Sequence, residues 1–240
     1  MVNTGFTPRM NSHTLTAFVI AITSLELSMK ASELTISSGA QHGFKNVQVW
    51  PACTPKNCNI WDEFKRAEIP NQPFVAIKDS RTENIMGCFM SHYLLWNHCI
   101  TRNEPILILE HDAVFIGGFP NRGDVPEFKG ILSIARPSYG GFRTPNGKGV
   151  HPLTSKKYLP GAHGYIITPD AASDLIELAH ERPRPTDIFI HSDDFPWIQE
   201  YYPWIVYAND SFSTVQSPAK GLKAKHSFQR NPDKYVLIDP

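Results

Sequence analysis

A short apolar segment that ends in acidic residues constrains the fold of this chain more than any other feature. Residues 105–109 (Pro-Ile-Leu-Ile-Leu) are apolar without alternation, a pattern that predicts a β-strand buried on both faces, as in a parallel sheet. Glu110, His111 and Asp112 follow this strand directly. Because ligands of open α/β sheets bind beyond the carboxyl ends of the strands, we expect a ligand at these three residues.

The two carboxylates at this strand end suit a divalent cation. Glu110 and Asp112 are two residues apart, so their side chains point the same way if the backbone is extended. Carboxylate oxygens are the ligands that Mg²⁺ prefers and that also suit Mn²⁺, and such an ion can carry a diphosphate. The competing interpretation is that both acids only cap the turn or helix that follows the strand.

The rest of the chain alternates between strand and helix patterns. The strongest helical pattern covers residues 83–101, where apolar side chains recur at helical spacing, and it leads directly into the buried strand. A second helix begins after Thr168, with Pro169 at its first position and Asp170 in its first turn. This order predicts an α/β fold with a mixed, mainly parallel sheet flanked by helices. The other predicted elements are a helix at 25–36 and strands at 18–22, 46–50, 165–168 and 205–208.

Three segments fall outside this alternation. Residues 51–73 are broken by prolines and asparagines and are predicted to be irregular. Residues 135–160 are rich in Gly, Pro, Lys and Ser with little periodicity, which predicts a flexible loop that is either functional or disordered. Residues 218–240 follow as a C-terminal tail. With 240 residues, 41% of them hydrophobic, the chain is expected to form one domain over residues 1–240.

Charge, cysteine spacing and hydropathy narrow the class of protein. The 23 basic and 23 acidic residues cancel, which argues against nucleic acid as a general partner. Cys53, Cys58, Cys88 and Cys99 include no C-x-x-C pair, so we expect four free thiols in a reducing compartment. The apolar run at 16–22 is too short to cross a membrane and fits a first strand better than a signal peptide. We therefore expect a cytoplasmic protein without a transmembrane segment, and peripheral contact with a membrane stays open.

Three short blocks, taken in order, resemble a known family. They are residues 87–96 (Gly-Cys-Phe-Met-Ser-His-Tyr-Leu-Leu-Trp), 109–112 (Leu-Glu-His-Asp) and 161–167 (Gly-Ala-His-Gly-Tyr-Ile-Ile). Their order and spacing are similar to those of the family-25 glycosyltransferases, which include lipopolysaccharide and collagen sugar transferases. Further similarities, which extend the resemblance over residues 16–217, are the first strand at 18–22, an acidic motif at 185–187 (Pro-Thr-Asp) and a closing segment at 215–216 (Val-Gln).

The resemblance implies a GT-A fold, a Rossmann-like α/β sheet that binds a nucleotide sugar. It implies transfer of a hexose, often galactose, from a UDP donor to a glycan or glycoconjugate acceptor, with inversion. The family usually has Glu-Asp-Asp where this chain has Glu110, His111 and Asp112. His111 is thus a candidate for contacts to metal, ribose or phosphate, against the alternative that it faces outward without a ligand role.

Candidate residues follow for the metal and for the catalytic base. Asp112, more than Glu110, is the expected direct ligand of Mn²⁺ or Mg²⁺, an ion that would offset the charge of the leaving diphosphate. An inverting displacement also needs a base that takes the proton of the acceptor hydroxyl. The candidates are Asp187, Asp193 and Asp194, and Asp187 ranks first because it matches the family motif. For Asp193 and Asp194 the alternative is a cap on the turn that follows them.

Donor binding is expected at the ends of the first strands and on the long helix. His92 lies on the apolar face of that helix, so the interpretation that competes with a donor contact is a packed, hydrogen-bonded core histidine. Candidates for the uridine or ribose are Ile22, Thr23, Ser24, the turn at Pro51 and Ala52, and the family-like pair Ser91 and His92. Candidates for a phosphate contact, unless they are simply solvated, are Lys78, Arg81 and Lys223.

Two other classes of protein compete with a transferase. A chain of the same fold that binds a nucleotide sugar or glycan without turnover would explain the histidine at position 111. An Fe(II) oxygenase is the remote alternative, because His191, Asp193 and His226, with Arg230, imitate its ligand triad. That chemistry belongs on a β-rich fold, whereas this chain alternates strands and helices.

Overall fold

The computed structural model describes residues 10–79, 81–138, 140–209, 212–215 and 236–237. Within these ranges the helices are α1 (Glu26–Gln41), α2 (Ile60–Arg66), α3 (Gln72–Val75), α4 (Thr82–Arg102), α5 (Pro120–Gly123), α6 (Pro169–Glu181) and α7 (Thr186–Phe189). The strands are β1 (Met10–Asn11), β2 (Ala17–Ala21), β3 (Val47–Pro51), β4 (Ile106–Glu110), β5 (Ala113–Phe115), β6 (Asp124–Val125), β7 (Ile131–Ser133), β8 (Gly149–Pro152), β9 (Gly164–Ile167), β10 (Gln199–Tyr202), β11 (Val206–Ala208), β12 (Phe212–Ser213) and β13 (Val236–Leu237).

A seven-stranded sheet with the order β3-β2-β4-β9-β7-β10-β8 organises the molecule. Strand β2 runs parallel to β3 and β4, and β7 runs parallel to β10. The other three pairings, β4 with β9, β9 with β7 and β10 with β8, are antiparallel. The α/β class with a mixed sheet is confirmed, but a mainly parallel sheet is not, because β9 enters the middle of the sheet in the opposite direction.

The central strands are buried on both faces, as the apolar run at 105–109 predicts. In β4, Ile106 and Ile108 belong to one hydrophobic cluster, whereas Leu107 and Leu109 belong to another on the opposite face. Helices α4 and α6 pack against each other on the side of the first cluster, and α1 packs on β2 and β5. Because both faces are covered, the sheet is held between helices. The end of β4 lies at the same edge as the ends of β2 and β3.

The two helices with the clearest sequence signals form as predicted. Helix α4 extends the expected 83–101 by one residue at each end and stops at Asn103, which has a left-handed backbone (φ 53°). Helix α6 begins after Thr168, whose hydroxyl accepts a hydrogen bond from the Ala171 amide at 3.3 Å. Local capping and periodicity were sufficient for both helices.

Three segments differ from the predictions made for them. Helix α1 continues five residues beyond position 36, because Ser38 and Gly39 are buried against the strand layer. The segment 51–73 is not irregular: it contains α2, capped by the Asn59 side chain, and α3. Likewise 135–160 is not structureless, since β8 pairs with β10 along the sheet edge.

The cysteine prediction is wrong for one pair. Cys53 and Cys58 are joined by a disulfide, because the turn between them brings their Cα atoms to 6.5 Å. Cys88 and Cys99 are free thiols, as expected. The expectation of a reducing compartment therefore loses its support from the first pair.

The C-terminal tail and the membrane question complete the description. Within the tail, β13 pairs in parallel with β12, whereas Gln216, Lys223, His226 and Arg230 lie outside the described residues. In the described part of the chain, no helix has both the length and the apolar character needed to cross a membrane. The division into one domain over 1–240 stays a prediction.

Candidate functional site

The carboxyl ends of β3, β2 and β4 meet at one edge of the sheet. Ala21 pairs with Pro51 and Ile20 pairs with Glu110, so the residues that follow all three strands are neighbours. The Ala52 amide donates to the Ala21 carbonyl at 2.8 Å, which holds the two strand ends together. The predicted donor residues after β2 and β3 therefore lie at the same edge as Glu110.

The loop after β2 offers both buried and exposed groups at this edge. Ile22 is buried and its amide donates to Ser28 Oγ at 2.9 Å, whereas Thr23 and Ser24 are exposed. Ala52 is also buried, and its carbonyl accepts from Asn57 Nδ2 at 2.7 Å. Of these candidates, only Thr23 and Ser24 present exposed hydroxyl groups to a ligand.

Glu110 faces two side chains of α4. Its Oε1 lies 3.2 Å from His92 Nε2 and 3.7 Å from Cys88 Sγ. Cys88 and His92 are four residues apart, so they share one helix face and meet the end of β4 together. From the sequence, Cys88 was expected only to be a free thiol; its spacing from His92 was the sequence signal for this role.

A chain of hydrogen bonds connects Glu110 to the core. Trp96 Nε1 donates to the Tyr165 hydroxyl at 2.9 Å, and that hydroxyl lies 2.8 Å from His92 Nδ1. Indole nitrogen can only donate, so the consistent assignment has Tyr165 O–H donating to Nδ1 and His92 Nε2–H donating to Glu110. Burial lowers the pKa of His92 to about 3, which keeps the ring neutral. His92 is thus both a packed core histidine and a direct partner of Glu110.

Asp187 brings a second carboxylate to Glu110 from the other half of the chain. It lies at the start of α7, which packs on α4. Burial, and next the negative charge of Asp187, raise the pKa of Glu110 to about 8. Burial, then the charges of Glu110 and Asp187, also raise the pKa of the Cys88 thiol. Two nearby carboxylates cannot both ionise easily, so one of them stays protonated at neutral pH.

His111 does not face outward. Its Nδ1 lies 2.8 Å from Ser28 Oγ, and its ring stacks on Phe212 with centroids 4.9 Å apart. Burial lowers its pKa to about 4, so the ring is neutral. Ser28, which the sequence analysis did not single out, also accepts a hydrogen bond from the Ile22 amide. It thus connects the end of β2 to His111.

Asp112 lies in a turn rather than in extended backbone. Strand β4 ends at Glu110, so the alternation argument for a shared face stops there. The Asp112 carbonyl accepts from the Asn209 amide at 2.7 Å, which connects this turn to the end of β11. Glu110 and Asp112 both remain at the edge where the carboxyl ends of the strands meet.

Ser91 has a supporting role within the protein. Its hydroxyl donates to the Gly87 carbonyl at 2.8 Å and accepts from the Cys53 amide at 2.9 Å. It therefore fastens the turn after β3 to α4.

Asp193 and Asp194 are each paired with cations. Asp193 is exposed and lies 3.0 Å from Lys157 Nζ. Asp194 is held by Arg182 at 2.9 Å and by Arg184. His191 lies beside Asp193, with 3.0 Å between its Nδ1 and the Asp193 amide, but the third residue of the oxygenase alternative, His226, is outside the described residues.

One group among the described residues combines three metal-ligating side chains. Cys88, His92 and Glu110 have ligand atoms within 4.8 Å of one another. A set of sulfur, nitrogen and oxygen suits zinc-like ions better than Mg²⁺. A hard cation would instead use carboxylate oxygens, and Glu110 Oε2 makes no hydrogen bond within the described part of the chain. Glu110 is also 27% exposed, so this oxygen is accessible to an ion.

Comparison with known proteins agrees with this geometry. The family model described as "Glycosyltransferase family 25 (LPS biosynthesis protein)" matches residues 20–125. This stretch contains Cys88, His92 and Glu110 together with the loops after β2 and β3.

Over residues 20–125 the chain is similar to glycosyltransferase family 25.

Two curated proteins that are similar to this chain come from Haemophilus influenzae. The lipooligosaccharide biosynthesis protein lic2B is 26% identical over 149 residues, which is 49% of this chain and 56% of the relative. The lipooligosaccharide biosynthesis protein lex-1, from strain ATCC 51907 / DSM 11121 / KW20 / Rd, is 26% identical over 178 residues, or 67% of this chain and 56% of the relative. The matched region thus spans about half the length of each relative.

Proposed function

We propose that this chain transfers a hexose, with galactose favoured, from a UDP-linked donor to a glycan or glycoconjugate, with inversion. The observation that carries the proposal is the convergence of Glu110 and Asp187, from the two halves of the chain, at the edge where β2, β3 and β4 end. Ligands of such sheets bind at this edge. The match to the family-25 model supports a transferase. The sequence resemblance to that family is the support for the donor, the sugar and the stereochemistry.

Asp187 is the proposed catalytic base. Inversion requires a single displacement, in which the acceptor hydroxyl attacks the anomeric carbon while a carboxylate takes its proton. The cost of a second negative charge beside Asp187 keeps Glu110 protonated. Asp187 is thus the member of the pair that can accept the proton. Asp193 and Asp194 are already engaged by cations.

The buried chain of Trp96, Tyr165 and His92 orients Glu110. Each member of this chain is fixed by a hydrogen bond between 2.8 and 3.2 Å. A carboxyl group held in this way loses little freedom when substrate binds, which favours reaction from a pre-organised site.

Asp112 and Glu110 are the residues that would hold Mn²⁺ or Mg²⁺. The ion would have to displace the proton of Glu110 and bind its accessible Oε2, because a carboxyl group binds metal only when it is deprotonated. The neighbouring thiol and imidazole favour Mn²⁺ over Mg²⁺. Such an ion would neutralise charge on the leaving diphosphate. On the protein side, Thr23 and Ser24 are proposed to contact the ribose, and His111 the ribose or phosphate.

The proposed acceptor is a bacterial lipooligosaccharide-type glycan, and the proposed location is the cytoplasm. The acceptor follows from the names of the two relatives, both of which are lipooligosaccharide biosynthesis proteins.

Nucleotide release separates an enzyme from a binding protein of the same fold. The chain is incubated with UDP-, GDP- and CMP-linked sugars, with and without Mn²⁺, and free nucleotide is measured with and without a glycan acceptor. We expect UDP release that the acceptor stimulates. Binding of a UDP-sugar without release under any of these conditions would favour the non-catalytic alternative.

A further inference from the structure

A cavity lies beside the candidate active site. It has a volume of about 620 Å³ and lies between the turn after β3, the start of α2, the end of α3 and the start of α4. Cys88, His92, Glu110 and Asp187 of the candidate active site do not line this cavity. Its lining combines exposed apolar groups with cations: Trp61, Val75, Lys56, Lys78 and Arg81.

Trp61 gives this cavity an oriented aromatic wall. The residue is 36% exposed, and Val75 beside the cavity is 49% exposed. The Trp61 indole N–H donates to Glu83 Oε1 at 2.7 Å, so the ring is held in one orientation. An exposed, fixed indole next to an aliphatic side chain suits the C–H face of a sugar ring, because aromatic rings provide much apolar contact area at little entropic cost.

The lining carries one more cation than carboxylate. Lys56, Lys78 and Arg81 outnumber the two carboxylates, Asp79 and Glu83. Glu83 is occupied by the indole of Trp61, and Asp79 accepts from the Arg81 amide at 2.9 Å. Lys78 is exposed and forms no ion pair within the described residues. A ligand with negative charge would therefore find donors at one side of the cavity.

The cavity is close to the reacting carboxylates. Asn84 lines it and lies one helical turn before Cys88, whose thiol is 3.7 Å from Glu110. Four residues of helix advance by about 6 Å. Asn84 also donates to the Thr214 carbonyl at 2.7 Å, so the segment after β12 borders the same region.

We propose that this cavity is a subsite for an acidic sugar of the acceptor, one that carries a phosphate or carboxylate group. The sugar ring packs on Trp61 and Val75, and its anionic group lies beside Lys78 and Arg81. This inference rests on the proposed function, since it identifies the acceptor's chemistry. The other source of a phosphate is the donor's diphosphate, and the test separates the two.

Binding is tested directly with glucose 6-phosphate, glucose and inorganic phosphate, using ligand-detected NMR titrations of the full chain. Glucose 6-phosphate should bind at least about tenfold more tightly than either fragment, because it uses both the aromatic wall and the cations; tenfold corresponds to about 1.4 kcal/mol. Lys78→Gln and Trp61→Leu should each weaken its binding by about tenfold or more. Lys65→Gln, an exposed change on α2 outside the cavity, is the matched control and should have no effect.

Saturating UDP is then added to the wild-type protein. Undiminished binding of glucose 6-phosphate supports an acceptor subsite, whereas displacement by UDP assigns the cavity to the donor and overturns the proposal. Equal binding of inorganic phosphate, or binding unaffected by both variants, also overturns it. Because the assay needs no turnover, its outcome is independent of whether nucleotide release succeeds.

Discussion

At the scale of single residues, burial determines the protonation states that the site can use. His92 and His111 are both neutral at pH 7, because burial lowers the pKa of His92 to about 3 and that of His111 to about 4. Neither ring can therefore supply a positive charge to a diphosphate at neutral pH. In the proposed reaction, the charge that stabilises the leaving group must therefore come from a cation or from residues outside this pair.

Removing the Tyr165 hydroxyl should damage both stability and activity. In Tyr165→Phe, Trp96 Nε1 and His92 Nδ1 lose the partner that now lies 2.9 and 2.8 Å away, respectively. A buried polar group without a partner costs about 1–3 kcal/mol, which urea unfolding measures. Because the histidine is no longer held against Glu110, kcat should fall about tenfold or more. Tyr202→Phe, with no hydrogen bond of its hydroxyl among the described residues, should match wild type in both assays; equal kcat in Tyr165→Phe would refute the positioning role.

Asp112→Asn tests the metal assignment. The substitution keeps the size of the side chain and the backbone contact to Asn209, so the fold should be preserved. It removes the charge that a hard cation requires. Mn²⁺-dependent thermal stabilisation by UDP should disappear, since a ligand that no longer binds cannot raise the melting temperature. Glu33→Gln, an exposed change on α1, serves as control. Full Mn²⁺-dependent stabilisation in Asp112→Asn would show that another residue holds the ion.

At the scale of secondary-structure elements, the contact between α4 and the turn after β3 shapes the donor edge. A Cβ at Gly87 would lie 2.5 Å from the Cys53 carbonyl oxygen, so only glycine allows this approach. The clash in Gly87→Ala should cost more than the roughly 1 kcal/mol that alanine gains in helix propensity. We therefore expect the free energy of unfolding to fall by about 1–3 kcal/mol. Gly141→Ala, where a Cβ would meet nothing within 4 Å, is the control. An unfolding midpoint for Gly87→Ala at or above that of wild type would contradict the close contact.

The structure reduces the predicted flexible loop at 135–160 to a shorter segment. Residues 149–155 are held by the pairing of β8 and β10 and by Glu200, which accepts from the amides of Thr154 and Ser155 at 2.8 Å. We therefore expect trypsin to cut within 140–148, at Arg143 or Lys148, and more slowly once UDP-sugar and Mn²⁺ are bound. Cleavage at exposed Lys45 provides the internal reference. Equal rates with and without ligands would show that this loop does not close over substrate.

At the scale of the whole molecule, three histidines and the partly buried Glu110 should place the stability maximum near pH 6.5. Burial lowers the pKa values of His92, His111 and His163 from 6.5 to about 3, 4 and 4. The unfolded chain takes up these protons as the pH falls below 6.5, so the free energy of unfolding falls with it. The pKa of Glu110 is instead raised from 4.5 to about 8, so its contribution is complete below pH 4.5 and is lost as the pH rises through 8.

Urea unfolding at pH 5, 6.5 and 8, with a chelator present, measures this profile. We expect the highest stability at pH 6.5, and Glu110→Gln should remove the decline between 6.5 and 8. A stability that rises steadily from pH 5 to pH 8 in wild type would contradict a Glu110 that is protonated in the folded protein at neutral pH.

Local signals in the sequence were sufficient for some features and insufficient for others. The cap at Thr168 and the apolar period of 83–101 are local, so α6 and α4 could be predicted closely. The pairing of β8 depends on β10 some fifty residues away, and no local pattern reveals it. In the same way, residue types and family blocks indicated Glu110 and Asp187, but the hydroxyl of Ser28 joined the site only through the tertiary fold.

Turnover of Asp187→Asn tests most directly the claim that carboxylates from both halves of the chain form one active site. The rate of acceptor-dependent UDP release should fall by a factor of about 10²–10⁴, the usual contribution of a general base, while the affinity for UDP hardly changes. Asp193→Asn, at an exposed ion pair with Lys157, should keep near-normal turnover. Near-normal turnover in Asp187→Asn, together with a loss in Asp193→Asn or Asp194→Asn, would contradict the account and move the base to the turn at residues 191–194.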